Sequence, residues 1–238
     1  MTDAPQHQAP RKPRFGGGDD ARGALSGKIR AISTAFALLL ALYLVMPYVF
    51  REPLDSSEAG ARVTQCDRLA AHPSDTQKLA PGIAQADVDI AAAKQACHAA
   101  LDQNPGDGRT LYQLGRGYFY NDEKDQGIAY FRQSAAAGYA QGQFVLGLIL
   151  MQGNGAEPDT CAAAKLWIDA ARQRHLYSKI YLGQNWLDGT LAGCALDLTE
   201  QELDGMVSAA EALADTQQQI DDVAMLRANW DARRGGGR

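Results

Sequence analysis

Beyond residue 50 the chain has few β-branched residues and many alanines and glutamines, a balance that favours helix over strand. Gly16-Gly17-Gly18 lacks the Gly-Lys-Ser/Thr that would hold a nucleotide, so it reads as a linker and not a phosphate loop. No nucleophile stands in a recognisable motif with a base. Asp122-Glu123 and Asp221-Asp222 are adjacent carboxylates, whereas a glycosidase places its pair across a cleft. Basic charge is short after residue 50, where 17 Lys and Arg face 25 Asp and Glu. Such a surface repels phosphate, so no nucleic-acid partner is expected. A basic peptide or protein is the better electrostatic match, although an acidic balance is ordinarily just a soluble surface. These absences leave a helical protein with no enzymatic chemistry, no cofactor and no metal in prospect.

One stretch lacks charge altogether. Ala31 to Phe50 is an uninterrupted apolar block between Arg30 and Arg51. Twenty helical residues at about 1.5 Å each span the ~30 Å hydrocarbon core. Tyr48 suits the interface at one end. Residues 1 to 30 carry six Lys or Arg against three Asp, and the positive-inside rule keeps that side in the cytoplasm. A cleavable signal peptide is the rival, with Ser57-Glu58-Ala59 as a weak cleavage site, but its apolar region should be about 7–15 residues long. The expected organisation is a disordered cytoplasmic tail (1–29), a transmembrane helix (30–51), a linker with a first helix fragment (52–86), a repeat domain (87–231) and a disordered tail (232–238). Ser33, Ala37 and Ala41 permit helix packing in the membrane, without a Gly-xxx-Gly motif.

The repeat domain is framed by Leu114-Gly115, Leu146-Gly147 and Leu182-Gly183, spaced 32 and 36 residues apart. That period belongs to helical repeat arrays. Tyr130-Phe131 before Ser134-Ala135 matches Leu166-Trp167 before Ala170-Ala171, and Met206-Val207 before Ala210 is a weaker third copy. Asn104-Pro105-Gly106-Asp107 ends one helix and opens the next. Leu146-Gly147, Gly153-Asn154-Gly155, Asp159, Leu166-Trp167 and Ala170-Ala171 together resemble the Sel1-like repeat, a relative of the tetratricopeptide repeat. The resemblance covers roughly residues 85 to 215. It implies an all-α helix-turn-helix solenoid acting as a protein-interaction scaffold, and with the composition it implies a bacterial inner-membrane protein whose array is periplasmic. The partner is expected to be protein, and an accessory subunit of an inner-membrane complex is one form that such a scaffold takes. The rival is a cell-envelope enzyme with an unrecognised site.

All four cysteines, Cys66, Cys97, Cys161 and Cys194, follow the apolar block. An even count in an oxidising compartment reads as disulfides, with three connectivities open. Cys161 and Cys194 stand one repeat apart, which favours their pairing and leaves Cys66 with Cys97. A zinc site from Cys66, His72, Cys97 and His98 is the competing reading, and its spacing fits no known module. His175 reads as a polar helix end. The outward positions of each first helix, Gln113, Arg116, Tyr120, Leu148, Gln184 and Asn185, are expected to line the concave side. The helix through Phe144 and Met151 is apolar nearly all round, so Leu148 or Ile149 is either buried at the centre or an anchor for an apolar partner segment.

Overall fold

The computed structural model describes residues 62–235. The expected cytoplasmic tail, the transmembrane helix 30–51, residues 52–61 of the linker segment and residues 236–238 lie outside these residues. Among the described residues no helix is long and apolar enough to cross a membrane.

The described chain is helical: α1 (Gln65–Ala70), α2 (Ile90–Gln103), α3 (Gly108–Tyr120), α4 (Lys124–Ala136), α5 (Ala140–Gln152), α6 (Thr160–Arg172), α7 (Leu176–Leu187), α8 (Glu200–Ala210) and α9 (Gln217–Gly235). Short polar side chains set the starts. Asp89, Asp107, Asp159 and Thr199 each accept from a backbone N–H in the first turn of α2, α3, α6 and α8. The stops use left-handed residues at Asp122, Gly138, Gly153 and Arg174. Glycine fills two of these without strain, while aspartate and arginine occupy the others at a cost.

The three expected units are the pairs α3–α4, α5–α6 and α7–α8. Each Leu-Gly glycine is the seat for a bulky side chain from a packed helix. A Cβ at Gly115 would lie 2.8 Å from Phe131, and one at Gly147 would lie 2.4 Å from Trp167. Only hydrogen allows helices to approach that closely. The third copy has no aromatic to insert, and Leu226 of α9 takes the seat, 2.9 Å from a Cβ at Gly183, with Val207 beside it. Leu182, Trp167, Leu203, Leu226 and Trp230 join one core around the last two copies, while Tyr112, Phe131, Leu146 and Ile149 form a second around the first.

Two boundaries differ from expectation. The domain does not begin at residue 87: Cys66, Asp67, Ala70 and Ala71 are buried, so the first helix fragment is part of the fold and not of a linker. Helix α2 itself starts at Ile90 behind Asp89, and Gln85–Asp87 is a 3-10 turn. The tail expected from residue 232 is helical to Gly235, because Arg233 donates to the Trp186 and Leu187 carbonyls and Arg234 pairs with Asp204 at 2.8 Å. Ile220 of α9 is 47% exposed.

Candidate interaction groove

The first helices of the three units stand side by side, and a shift of 32 and then 36 residues maps one onto the next. Arg109, Gln113, Arg116 and Tyr120 of α3 correspond to Gln141, Val145, Leu148 and Gln152 of α5, and to Tyr177, Tyr181, Gln184 and Asp188 of α7. Gln113, Arg116, Tyr120, Leu148 and Gln184, expected on the concave side, fall in this set, whereas Ile149 and Asn185 stand one position off it.

Over α3 the row is covered. Helix α1 and the loop from Ala71 to Ile83, closed at its base where Ile83 N–H donates to the Ala71 carbonyl at 2.8 Å, lie on this face. Arg116 Nη1 donates to the carbonyls of Ala70 and Ala71 at 3.0 and 2.9 Å, Nη2 donates to that of Ile83, and Nε donates to the Tyr120 hydroxyl at 3.0 Å. Gln113 Nε2 and Arg109 Nε converge on one carboxylate oxygen of Asp67, at 3.0 and 2.7 Å. The other oxygen accepts from the Thr64 backbone and hydroxyl, both at 2.8 Å, forming a capping box for α1. Burial would raise the Asp67 carboxyl, but the hydrogen bonds from Thr64 and Gln113 and the charge of Arg109 outweigh it and hold it below its usual value.

The loop also reaches the next unit. The Tyr139 hydroxyl donates to Asp75, and Ala140 N–H donates to Gln77 Oε1 at 3.4 Å, at the start of α5. Burial raises the Asp75 carboxyl despite the hydrogen bonds it accepts from the Tyr139 hydroxyl and the Gln77 N–H. Burial likewise drives both His72 and His175 down to about 4, with Arg116 and Lys78 adding to the effect on His72 and His72 itself adding to that on His175. His175 caps α7: its Nδ1 accepts from Ser178 N–H at 3.2 Å, so Nε2 carries the proton and donates to Gln141 Oε1 at 2.9 Å.

Gln113 and Arg116 were expected to face a partner, and both are instead buried beneath the chain's own N-terminal segment. Tyr120 is half-buried under the Arg116 guanidinium, 5.0 Å from its ring centre. Ile149 belongs to the core between the first two copies. Asn185 donates back to the Tyr181 carbonyl of its own helix at 2.8 Å. Leu148 and Gln184 are half-buried, as are Val145 and Tyr181 on the same two helices. At the far end Gln184, Leu187 and Asp188 meet Met225, Asn229 and Arg233 of α9 in a shallow depression. Sequence reasoning missed Met225, whose helix carries no repeat signature.

The cysteines are joined as expected, Cys66 to Cys97 and Cys161 to Cys194. The first bridge holds α1 to α2, and the second ties the start of α6 to the loop before α8. With both sulfurs of the first pair in a disulfide, the alternative Cys66, His72, Cys97, His98 zinc set does not form. His98 Nε2 instead lies 2.9 Å from the Tyr118 hydroxyl.

No protein-family model and no curated protein matches the chain. Among solved structures it is similar to a Sel1 repeat protein from Oxalobacter formigenes, with 19% identity over 54% of this chain and 96% of that one, at a TM-score of 0.43. It is also similar to c5321, a protective antigen of uropathogenic Escherichia coli strains displaying an SLR fold, with 22% identity over 74% of this chain and 38% of that one, at a TM-score of 0.40. The first of these neighbours carries the repeat type that the Leu-Gly copies resemble.

Proposed function

We propose that this chain is a membrane-anchored periplasmic scaffold that holds a protein partner on the concave side of its repeats, as an accessory subunit of an inner-membrane complex. The observation that carries the reading is the half-open row of Leu148, Tyr181 and Gln184 on adjacent helices, set on a rigid frame of packed repeats. The apolar block 31–50 supports the anchor, and the two disulfides fit an oxidising compartment. The titratable groups that burial perturbs, among them Asp67, Asp75, His72 and His175, are occupied by hydrogen bonds within the chain, which supports a binding role over a catalytic one. Reporter fusions test the topology: a fusion at Asp20 should report cytoplasm and one at Asp107 the periplasm. The opposite pattern defeats the anchor and the localisation together. Site-specific crosslinking from Gln184 in intact membranes should then yield one discrete adduct, and labelling by the bulk proteome alone would reject the scaffold.

A further inference from the structure

The concave row changes character along its length. Over α3 it is polar, charged and filled by the segment from α1 to Ile83, which is held by Arg109, Gln113 and Arg116. Past Asp75 and Gln77 the row continues over α5 and α7, and among the described residues it ends against Met225, which is 54% exposed on α9. Helix α5 has no Asp, Glu, Lys or Arg. Helix α7 has one, Lys179, which is buried with its Nζ donating to the Ala171 carbonyl at 2.8 Å. A stretch with no exposed charge on α5 or on α7 up to Leu187 thus sits between the chain's own loop and α9, and at its far rim Asp188 and Arg233, of opposite sign, line the depression with Gln184 and Met225.

We propose that this bounded stretch, formed by Val145, Leu148, Tyr181, Gln184 and Met225, docks an uncharged apolar segment of the partner protein. The segment from α1 to Ile83 is then a resident occupant that reserves the first copy and forms one wall of the site. The proposal rests on the scaffold reading above and specifies its partner. Two arguments fix the class of occupant. A charged segment would surrender its hydration over α5 and α7 and meet only Asp188 and Arg233 at the far rim, whose opposite signs offset each other, which is a net loss. An apolar one would release water from Leu148, Tyr181 and Met225. The site is also continuous with the interface that the resident segment already makes. There Arg116 grips main-chain carbonyls, and Gln184, at the matching position of the third copy, presents an amide able to pair with both main-chain N–H and C=O.

The test uses the full chain in lipid nanodiscs, with empty nanodiscs as subtraction, panned against a phage-displayed library of random twelve-residue peptides. Enriched peptides should lack charge and carry aliphatic or aromatic residues. Their binding should fall by about tenfold or more in Leu148→Asp, and equally in Met225→Glu and Gln184→Lys, two solvent-accessible changes that leave the core intact. Ile220→Glu, on the exposed side of α9, should bind as the parent does. Enrichment of charged peptides, or binding indifferent to Met225→Glu and Gln184→Lys, overturns the site while leaving a scaffold with another surface. A chain that enriches no peptide and forms no crosslinked adduct overturns both readings.

Discussion

Gly147 and Trp167 occupy the same space but for one hydrogen. A Cβ on Gly147 would stand 2.4 Å from the indole nitrogen, which donates to the Phe144 carbonyl at 3.2 Å and is fully buried. Gly147→Ala must push the indole off that carbonyl, and the expected cost is about 1–3 kcal/mol. Gly205, exposed in α8 with nothing near its missing Cβ, is the opposite case, and Gly205→Ala should add roughly 0.5–1 kcal/mol. Urea unfolding of both variants checks the pair. Equal midpoints would show that helix approach at the Leu-Gly pair is not limited by this contact.

Arg116→Ala should free the segment it holds. The change strands the carbonyls of Ala70 and Ile83 under cover and leaves that of Ala71 with the Ile83 N–H alone, at about 2–4 kcal/mol. Trypsin should then cut at Lys78 many-fold faster than in the parent, while the repeats stay folded. Unchanged cleavage would mean that the other contacts of the segment suffice.

Acid should weaken the fold through two histidines. His72 and His175 are held down to about 4, mainly by burial, against an unfolded value near 6.5. A depressed histidine contributes its full stability above about pH 6.5 and loses it as pH falls toward about 4, because the unfolded chain takes up protons first. Asp75, raised by its burial, works with the opposite sign at the acid end of that window. Denaturant unfolding at pH 7 and pH 5 should therefore show lower stability at pH 5, with a gentler slope in His175→Gln. A flat profile between those two values would contradict the assignment.

The two disulfides should differ in access. Cys66 and Cys97 are fully buried, while Cys161 and Cys194 are partly exposed. Mild reductant under native conditions should open Cys161–Cys194 first, as read by differential alkylation and mass spectrometry. Replacing either pair by serine should cost roughly 3–4 kcal/mol for loops of this length. Simultaneous opening would mean that reduction proceeds only through global unfolding.

The parts of this fold that repeat were legible, because a period in the sequence is a period in space. The Leu-Gly pairs placed three helix pairs, and the same period matched Cys161 to Cys194. The correspondence of Arg116, Leu148 and Gln184 along the first helices was also legible, because it follows from the same period. What covers these positions was not. Polar residues at Gln113 and Arg116 look alike whether they face water or grip a loop, and only the fold brings Asp67 within reach of both Arg109 and Gln113. The substitute for the missing third aromatic was hidden for a similar reason. Leu226 comes from a helix outside the repeat, so no spacing points to it.

The bridge between Cys66 and Cys97 has a mechanical consequence. Tension entering from the N-terminal side arrives at residue 62, passes α1's first turn and reaches Cys66. From there the covalent path leads straight across to Cys97 in the middle of α2, so residues 67 to 96 lie outside the line of load. The loop seated on Arg116 is thereby shielded: a pull from that side strains α2 and its packing against α3 before it can peel the loop from the groove.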